Sequence, residues 1–312
     1  MERITYPPRA VCPPSVATIG FFDGVHAGHR SLIDQVKRCA VARGLASLLI
    51  TFDVHPRSVL QPGFRPSLLS TLDEKCALLS SVGADYLLVL PFTCELASLE
   101  AAEFMRDVLH DRLNVHTLVM GYDHHFGRGG AATLEDYEAY GRKIGLEVVR
   151  AEVYNRKSGP VSSSLVRTLL AAGDVESAAD CLTRFYALSG TVVRGFRVGR
   201  KLGYPTANVQ VDDECKLVPA RGVYAVRVQV DGVQSLSYGG MLNVGVRPTL
   251  DNGMQPTIEV NIFDFTGDLY GRSLCVEFVA RLREEHRFDS LQALRRQLAA
   301  DEAHARELLA LV

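Results

Sequence analysis

Two hydrophobic periods share this chain, and they meet near Thr183. Upstream, apolar runs alternate with amphipathic stretches: Ser15 to Phe22, then Arg30 to Arg43 closed by Gly44, then Ala46 to Phe52, then Thr71 to Ser81 closed by Gly83. Asp85 to Pro91, Thr117 to Gly121 and Glu147 to Val153 add short strand-like runs, with Ser98 to Arg112 reading as an intervening helix. Thr71 with Glu74, and Thr133 with Asp136, have the spacing of a reciprocal helix cap. Alternation of this kind requires crossovers and predicts an α/β domain on a mostly parallel sheet. Downstream, strands dominate: Leu188 to Val193, Val223 to Val230, Leu236 to Leu242, Ile258 to Phe265 and Leu274 to Ala280. Asp231-Gly232 between two of them suits a tight hairpin. This half reads as a small antiparallel β-barrel, and the helical spacing of Ser290 to Leu311 predicts one or two helices packed on it. The expected domains are therefore 1–183 and 184–312.

A chain of 312 residues is long enough for two domains at roughly 150 residues each. Its 47% hydrophobic and 22% charged residues exclude collagen-like and disordered classes. No window approaches the roughly 20 apolar residues of a membrane span, and the start, Met1-Glu-Arg-Ile-Thr-Tyr-Pro-Pro, has no apolar signal core. A soluble cytoplasmic protein with no membrane partner is expected. The seven cysteines are odd in number, scattered and never in a C-x-x-C pair, which predicts reduced, mainly structural thiols and no zinc site. A net charge of −2 lacks the basic excess of a nucleic-acid binder. Any anionic ligand has to be met by a local cluster.

The densest polar cluster, Gly20-Phe21-Phe22-Asp23-Gly24-Val25-His26-Ala27-Gly28-His29, lies where the first strand turns into the first helix, the place where open parallel sheets bind ligands. Glycines let backbone amides approach a phosphate, the helix N-terminus adds partial positive charge, and imidazoles three residues apart can donate to its oxygens. The plainer alternative is a tight turn with capping histidines; a third makes the pair metal ligands, without a third ligand of obvious spacing. A second cluster, Ser162-Ser163-Ser164-Leu165-Val166-Arg167, opens another helix, where a serine cap followed by an outward arginine is also commonplace. Between them Thr51 to Pro56 and Gly121 to Gly130 each follow a strand on the same sheet edge.

These motifs resemble the FMN adenylyltransferase module of bacterial bifunctional riboflavin kinase/FAD synthetases, one of the nucleotidyltransferases marked by H-x-G-H. The resemblance implies a Rossmann-like nucleotidyltransferase domain in which His26 and His29 stabilise the α-phosphate region of ATP. It places Phe22, Asp23, Gly24, Gly28, Ser163, Ser164 and Arg167 on ATP, and His55, Asp123 and Phe126 at the flavin. Ser164 stands where threonine is usual, and Tyr122, His124 and His125 depart from the usual loop.

In the second half, Gly195 to Asn208 joins a glycine-rich basic loop to Pro205-Thr206-Ala207-Asn208. A hydroxyl and an amide oxygen are hard donors suited to Mg²⁺ carrying phosphates; the alternative is a barrel loop with solvated arginines. This string resembles the signature of riboflavin kinase, and Arg221 to Tyr224, Asn243 to Thr249, Ile258 to Val260, Asp268 to Gly271 and Leu282 to Phe288 continue that pattern in order. Thr183-Arg184-Phe185-Tyr186 departs from the usual Gly-Arg-Pro-Tyr. The resemblance implies Gly199, Arg200, Gly203, Thr206 and Asn208 on the ATP phosphates, Mg²⁺ at Thr206 and Asn208, and Arg247 and Arg283 on the flavin. Glu259 is the candidate base: on a strand its side chain alternates with Ile258 and Val260, toward either the lumen or the solvent.

The implied activities are ATP with riboflavin giving FMN and ADP, and ATP with FMN giving FAD and diphosphate, in a monomer or weak homo-oligomer. Two other readings are a kinase with weak or absent adenylyl transfer, and a flavin- or nucleotide-binding regulatory module without turnover.

Overall fold

Strands whose residues are apolar on both faces can only sit in the middle of a covered sheet, and Ser15–Ile19 is buried throughout. In the computed structural model this strand, β2, is central in a six-stranded parallel sheet of order β1-β4-β3-β2-β5-β6. The others are β1 (Glu2–Ile4), β3 (Ala46–Phe52), β4 (Tyr86–Leu90), β5 (Val115–Met120) and β6 (Glu147–Arg150). The structure describes residues 1–8, 11–121, 124–154, 156, 159–195, 203–230, 237–248 and 254–310, without the side chains of 247, 248 and 254–256. It divides into two compact units, Met1–Ser163 and Ser164–Val312.

In the first unit α1 (Ala27–Arg43) ends on Gly44, whose φ of 64° lets its N–H return to the last carbonyls. Helix α2 (Pro56–Leu60) follows β3, and both expected reciprocal caps are present, on α3 (Leu72–Ser80) and on α6 (Leu134–Ile144). A separate short helix, α4 (Cys94–Ser98), precedes the helix expected at Ser98–Arg112, which forms over Ala101–His110, where α5 (Ala101–Glu103) runs on into a π-helical stretch Phe104–His110. That wider winding turns two adjacent apolar pairs inward, Phe104 with Met105 and Val108 with Leu109. Alternate strand residues feed opposite faces: Ala17, Ile19, Leu48 and Ile50 pack on the π-helical side, Leu49 and Leu87 under α1 and α3.

In the second unit β7 (Tyr186–Val193), β8 (Ala207–Val211), β9 (Gly222–Val230), β10 (Ser237–Pro248), β11 (Met254–Ile262) and β12 (Ser273–Arg283) close into an antiparallel barrel of order β10-β11-β8-β7-β12-β9. Asp231-Gly232, the expected hairpin, lies outside the described residues, although its flanking strands pair antiparallel. One terminal helix, α9 (Leu291–Ala310), seats Leu298, Ala305, Leu308 and Leu309 on Ala225, Met241 and Phe263. Helices α7 (Ser163–Ala172) and α8 (Val175–Leu182) precede the barrel. Arg281 of β12 ties them to it, donating from Nη1 to the Ala172 carbonyl at 3.3 Å and from its backbone N–H to Glu176 at 3.0 Å. All seven cysteines are free thiols. Among the described residues no helix is long and apolar enough to cross a membrane.

A β-carbon built on Gly190 of β7 would collide with the Gln210 carbonyl oxygen of β8. Gly190→Ala is therefore expected to lower the unfolding free energy of the barrel by about 1–3 kcal/mol, read by chemical denaturation.

Candidate active sites

The first site forms at the carboxyl ends of β2 and β3. After Ile19 the chain enters a turn with Phe22 at φ 53°, Gly24 at 73° and Val25 at 42°, a region that a β-branched residue avoids. Asp23, 3% exposed, holds this turn: its carboxylate accepts the backbone N–H of Leu69 and of Ser70 at 3.0 Å, and the Ser70 hydroxyl at 3.3 Å. Ser70 Oγ in turn accepts the Gly24 N–H at 3.0 Å. The Ser163 hydroxyl donates to the Asp23 carbonyl at 3.0 Å, so this serine and the first cluster, 140 residues apart, do come together.

From that turn α1 starts with His26 as its N-cap, His26 Nδ1 accepting the His29 N–H at 3.4 Å. A neutral His26 therefore carries its proton on Nε2, as a donor. Its ring stacks on His29 with centroids 3.6 Å apart, and Phe22 meets His29 edge-on at 5.2 Å. Part of His29 reaches the surface, but its Nδ1 is sealed from water and without a hydrogen-bond partner among the described residues. Burial, followed by the neighbouring imidazoles of His26 and His124, holds its pKa well below the ordinary imidazole value. His29 is thus a neutral donor at pH 7. A β-carbon on Gly28 would sit 3.2 Å from the His26 ring and 3.4 Å from the Val161 carbonyl, which leaves glycine the side chain that fits without displacement.

Beside these, His55 caps α2, its Nδ1 accepting the Arg57 N–H at 3.2 Å, while its ring contacts Phe21 at 4.8 Å and Phe64 at 5.5 Å. The Arg57 guanidinium covers Phe64 at 4.1 Å. Phe64 and Arg57 carry no sequence signal: Phe64 lies in a loop without periodicity, and only tertiary contact brings it to His55. Phe126 is fixed by Tyr137, whose hydroxyl both donates to and accepts from its backbone. Asp123 lies outside the described residues. Ser164 and Arg167 follow Ser163 on α7, within the second unit.

The second site is a cavity of about 330 Å³ against the barrel face covered by α9. Ile258 and Val260 are buried at 4% and 1%, and the intervening Glu259 lines the cavity with Asn261, Arg283, Phe288 and the helix residues Leu294 and Leu298. Glu259 therefore faces neither the lumen nor open solvent. It pairs in register with Asn208 across β11 and β8, and the Thr206 hydroxyl donates to it at a long 3.5 Å. Gly195 leaves room for the Asn208 amide, which a β-carbon there would strike. A smaller cavity of about 120 Å³ shares Thr206 and is lined by Pro205, Phe265, Asp268 and Tyr270. The volume of the larger suits a small organic ligand, and its walls offer apolar surface for a planar ring. Gly203 sits in a turn at φ 86°. Arg283 reaches the cavity wall, but its Nε and Nη2 bond Asp301 at 2.8–3.0 Å and its Nη1 the Glu284 carbonyl at 2.9 Å. Gly199, Arg200 and the Arg247 side chain lie outside the described residues.

Comparison with known proteins divides along the same line. A family model described as FAD synthetase matches residues 9–165, and one described as riboflavin kinase matches residues 182–309. A Pseudomonas fluorescens protein named bifunctional riboflavin kinase/FMN adenylyltransferase is 41% identical over 295 residues, covering 95% of this chain and 93% of the relative. A Bacillus subtilis protein of the same name is 36% identical, covering 93% and 91%. A crystal structure described as a macrolide-efflux protein from Streptococcus pneumoniae superposes with a TM-score of 0.88 at 32% identity, covering 98% of this chain and 99% of that one.

The state of His29 has a measurable consequence. Between its depressed folded pKa and the ordinary value of about 6.5, the unfolded chain binds a proton that the folded chain refuses. This group therefore lowers stability as pH falls. Thermal midpoints should drop between pH 7 and 5.5, and His29→Gln should reduce that slope; an unchanged slope would contradict a neutral, sealed imidazole.

Proposed function

The chain belongs to the family of bifunctional riboflavin kinases/FMN adenylyltransferases, and from that premise we propose how its two sites divide the work. The protein phosphorylates riboflavin to FMN with one ATP and adenylylates FMN to FAD with another. The observation that carries the residue assignment is Glu259, in register with Asn208 and within reach of Thr206, on the wall of a flavin-sized cavity.

The ribityl 5′-hydroxyl is barely acidic, so its attack on the γ-phosphorus needs a positioned proton acceptor. Glu259 takes that proton as the oxygen–phosphorus bond forms and ADP leaves. Met241, Leu242, Leu294, Leu298 and Phe288 give the apolar surface that a flavin ring needs. Mg²⁺ fits the donors present: a hydroxyl at Thr206, an amide oxygen at Asn208 and the Glu259 carboxylate are hard oxygen groups. Thr206 and Asn208 would hold it with the ATP phosphates, where it neutralises charge. Gly199, Arg200 and Gly203 supply the phosphate loop, and Arg247 and Arg283 serve the flavin side, Arg283 through the wall that Asp301 helps it fix.

Adenylyl transfer needs no base, because the nucleophile is the phosphate of FMN. It attacks the α-phosphorus and expels diphosphate, so the demand is for donors at crowded oxygens. His26, His29 and the amides at the start of α1 beside Gly28 meet that demand as neutral donors, with Phe22, Asp23 and Gly24 shaping the turn before them, and are joined by Ser163, Ser164 and Arg167 from the motif that opens α7. His55, Asp123 and Phe126 serve the flavin, with Phe21 and Phe64 beside His55. The functional halves are 1–183 and 184–312. An ATP-consuming enzyme of this kind works in the cytoplasm as a monomer or weak homo-oligomer. Efflux, in the description of the S. pneumoniae structure, finds no counterpart in either set of residues.

Incubation with riboflavin and Mg-ATP, followed by separation of the flavins, should show FMN and then FAD. Glu259→Gln should slow FMN formation by about 10²–10⁴-fold and leave FAD formation from added FMN intact. His29→Ala should do the reverse, with a loss of about 10²–10³-fold. Either substitution silencing both steps in a folded protein would refute two separate sites.

A further inference from the structure

One buried cation takes no part in the chemistry above. Lys75, on α3, is 2% exposed. Its Nζ donates to the Phe52 carbonyl, the last of β3, at 2.8 Å and lies 3.9 Å from the centroid of the Phe21 ring. That ring also meets His55, with centroids 4.8 Å apart. Lys75 therefore touches the strand end and the aromatic wall of the adenylyl-transfer site from beneath.

The electrostatics there pose a problem for a site that must admit two polyanions. His29 is neutral, and two carboxylates stand close by. Asp23 holds the turn before α1, and Asp53 follows β3, accepting the N–H of Val54 and of Phe92. Both act on Lys75, together with Cys76 of its own helix. The faces of α1, β3 and β4 packed against α3 are apolar there, with Ile33, Leu49 and Leu87. An ammonium sealed from solvent keeps its field, which salt screens much less than it screens a surface charge.

We propose that Lys75 is an electrostatic positioning residue for FAD synthesis: its buried ammonium offsets the Asp23 and Asp53 carboxylates and holds the Phe52 carbonyl and Phe21 ring, so that ATP and FMN can enter together. This rests on the adenylyltransferase reading of the first unit. Burial lowers the lysine to about 8, against the raising effect of the two carboxylates. The active charge is therefore lost just above neutrality. The same depression has the opposite sign for stability. Between about 8 and the ordinary lysine value, the unfolded chain holds the proton that the folded one has released, so this group makes folding more favourable as pH rises. An alkaline fall in activity from this cause is not unfolding.

The test measures FAD formation from FMN and Mg-ATP, and FMN formation from riboflavin, with the full chain between pH 6.5 and 9.5, with circular dichroism at each point. The wild type should lose kcat/KM for FAD formation with an apparent pKa near 8 while remaining folded. Lys75→Arg should move that limb beyond the range. Lys75→Met should cost about 10–100-fold at pH 7, flatten the limb and spare FMN formation. A limb unchanged in either variant, or equal loss of both activities in Lys75→Met, overturns the proposal. If Lys75→Met fails to fold, the Arg profile decides. Wild type that makes FAD with no alkaline limb overturns the lysine's role alone, whereas wild type that makes no FAD overturns the adenylyltransferase reading and this proposal with it.

Discussion

The carboxylate of Asp23 is the interaction on which the first site depends. The turn it holds carries Phe22 and Val25 at positive φ, and such residues cost of order 1–3 kcal/mol each. Against this stand three donors on the carboxylate, from Leu69 N–H, Ser70 N–H and Ser70 Oγ. Hydrogen bonds to a charged group contribute roughly 1.5–3 kcal/mol each, enough to offset two strained residues. Everything downstream follows from the turn being fixed. His26 becomes the cap of α1, and its Nδ1 is committed to a backbone amide, which leaves the proton of the neutral ring on Nε2.

That arrangement suits a reaction between two anions. A pair of imidazolium ions stacked at 3.6 Å would repel each other, and burial adds a desolvation penalty. Neutral rings avoid both costs and still donate. In the second unit the demand is reversed, since an alcohol must lose a proton, and the cavity presents a carboxylate instead. The two units share a substrate class, yet the first presents paired imidazoles where the second presents a carboxylate. A single site alternating between the two reactions would need to be both proton-accepting and anion-tolerant.

The architecture was legible because it rests on periodicity, which a linear chain displays directly. The switch from α/β alternation to strands predicts both sheets, and Thr71 with Glu74 shows its cap within four residues. Glu259 was legible as a strand carboxylate, its role as a base coming from the resemblance alone, and only half of its setting could be read: alternation separates it from Ile258 and Val260 without saying what covers its face. That cover is α9, whose Leu294 and Leu298 come from the far end of the chain. Asp23 reads as one polar residue in a promising turn; its partners lie 46 and 47 residues away. Lys75 looks like an ordinary solvated position in an amphipathic helix, and the π-helical winding at Phe104 leaves no local signature. What sequence hides in each case is a contact between segments that are distant along the chain.

The placement of α9 shows why such contacts need polar groups at all. Its apolar seat, Leu298, Ala305, Leu308 and Leu309 on Ala225, Met241 and Phe263, supplies attraction that is non-directional. A helix rich in alanine and leucine could bury comparable area after a shift of one turn. Asp301, 4% exposed, removes that freedom by accepting from Arg283 Nε and Nη2 while also accepting from Gln297 at 2.8 Å. A bidentate arginine–carboxylate pair is geometrically specific as well as attractive. Isolated charges at that depth would be costly, so the pair holds only in the register where both partners meet. In that register Leu294 and Leu298 line the same cavity as Glu259, and the outer face of a closed barrel becomes its wall.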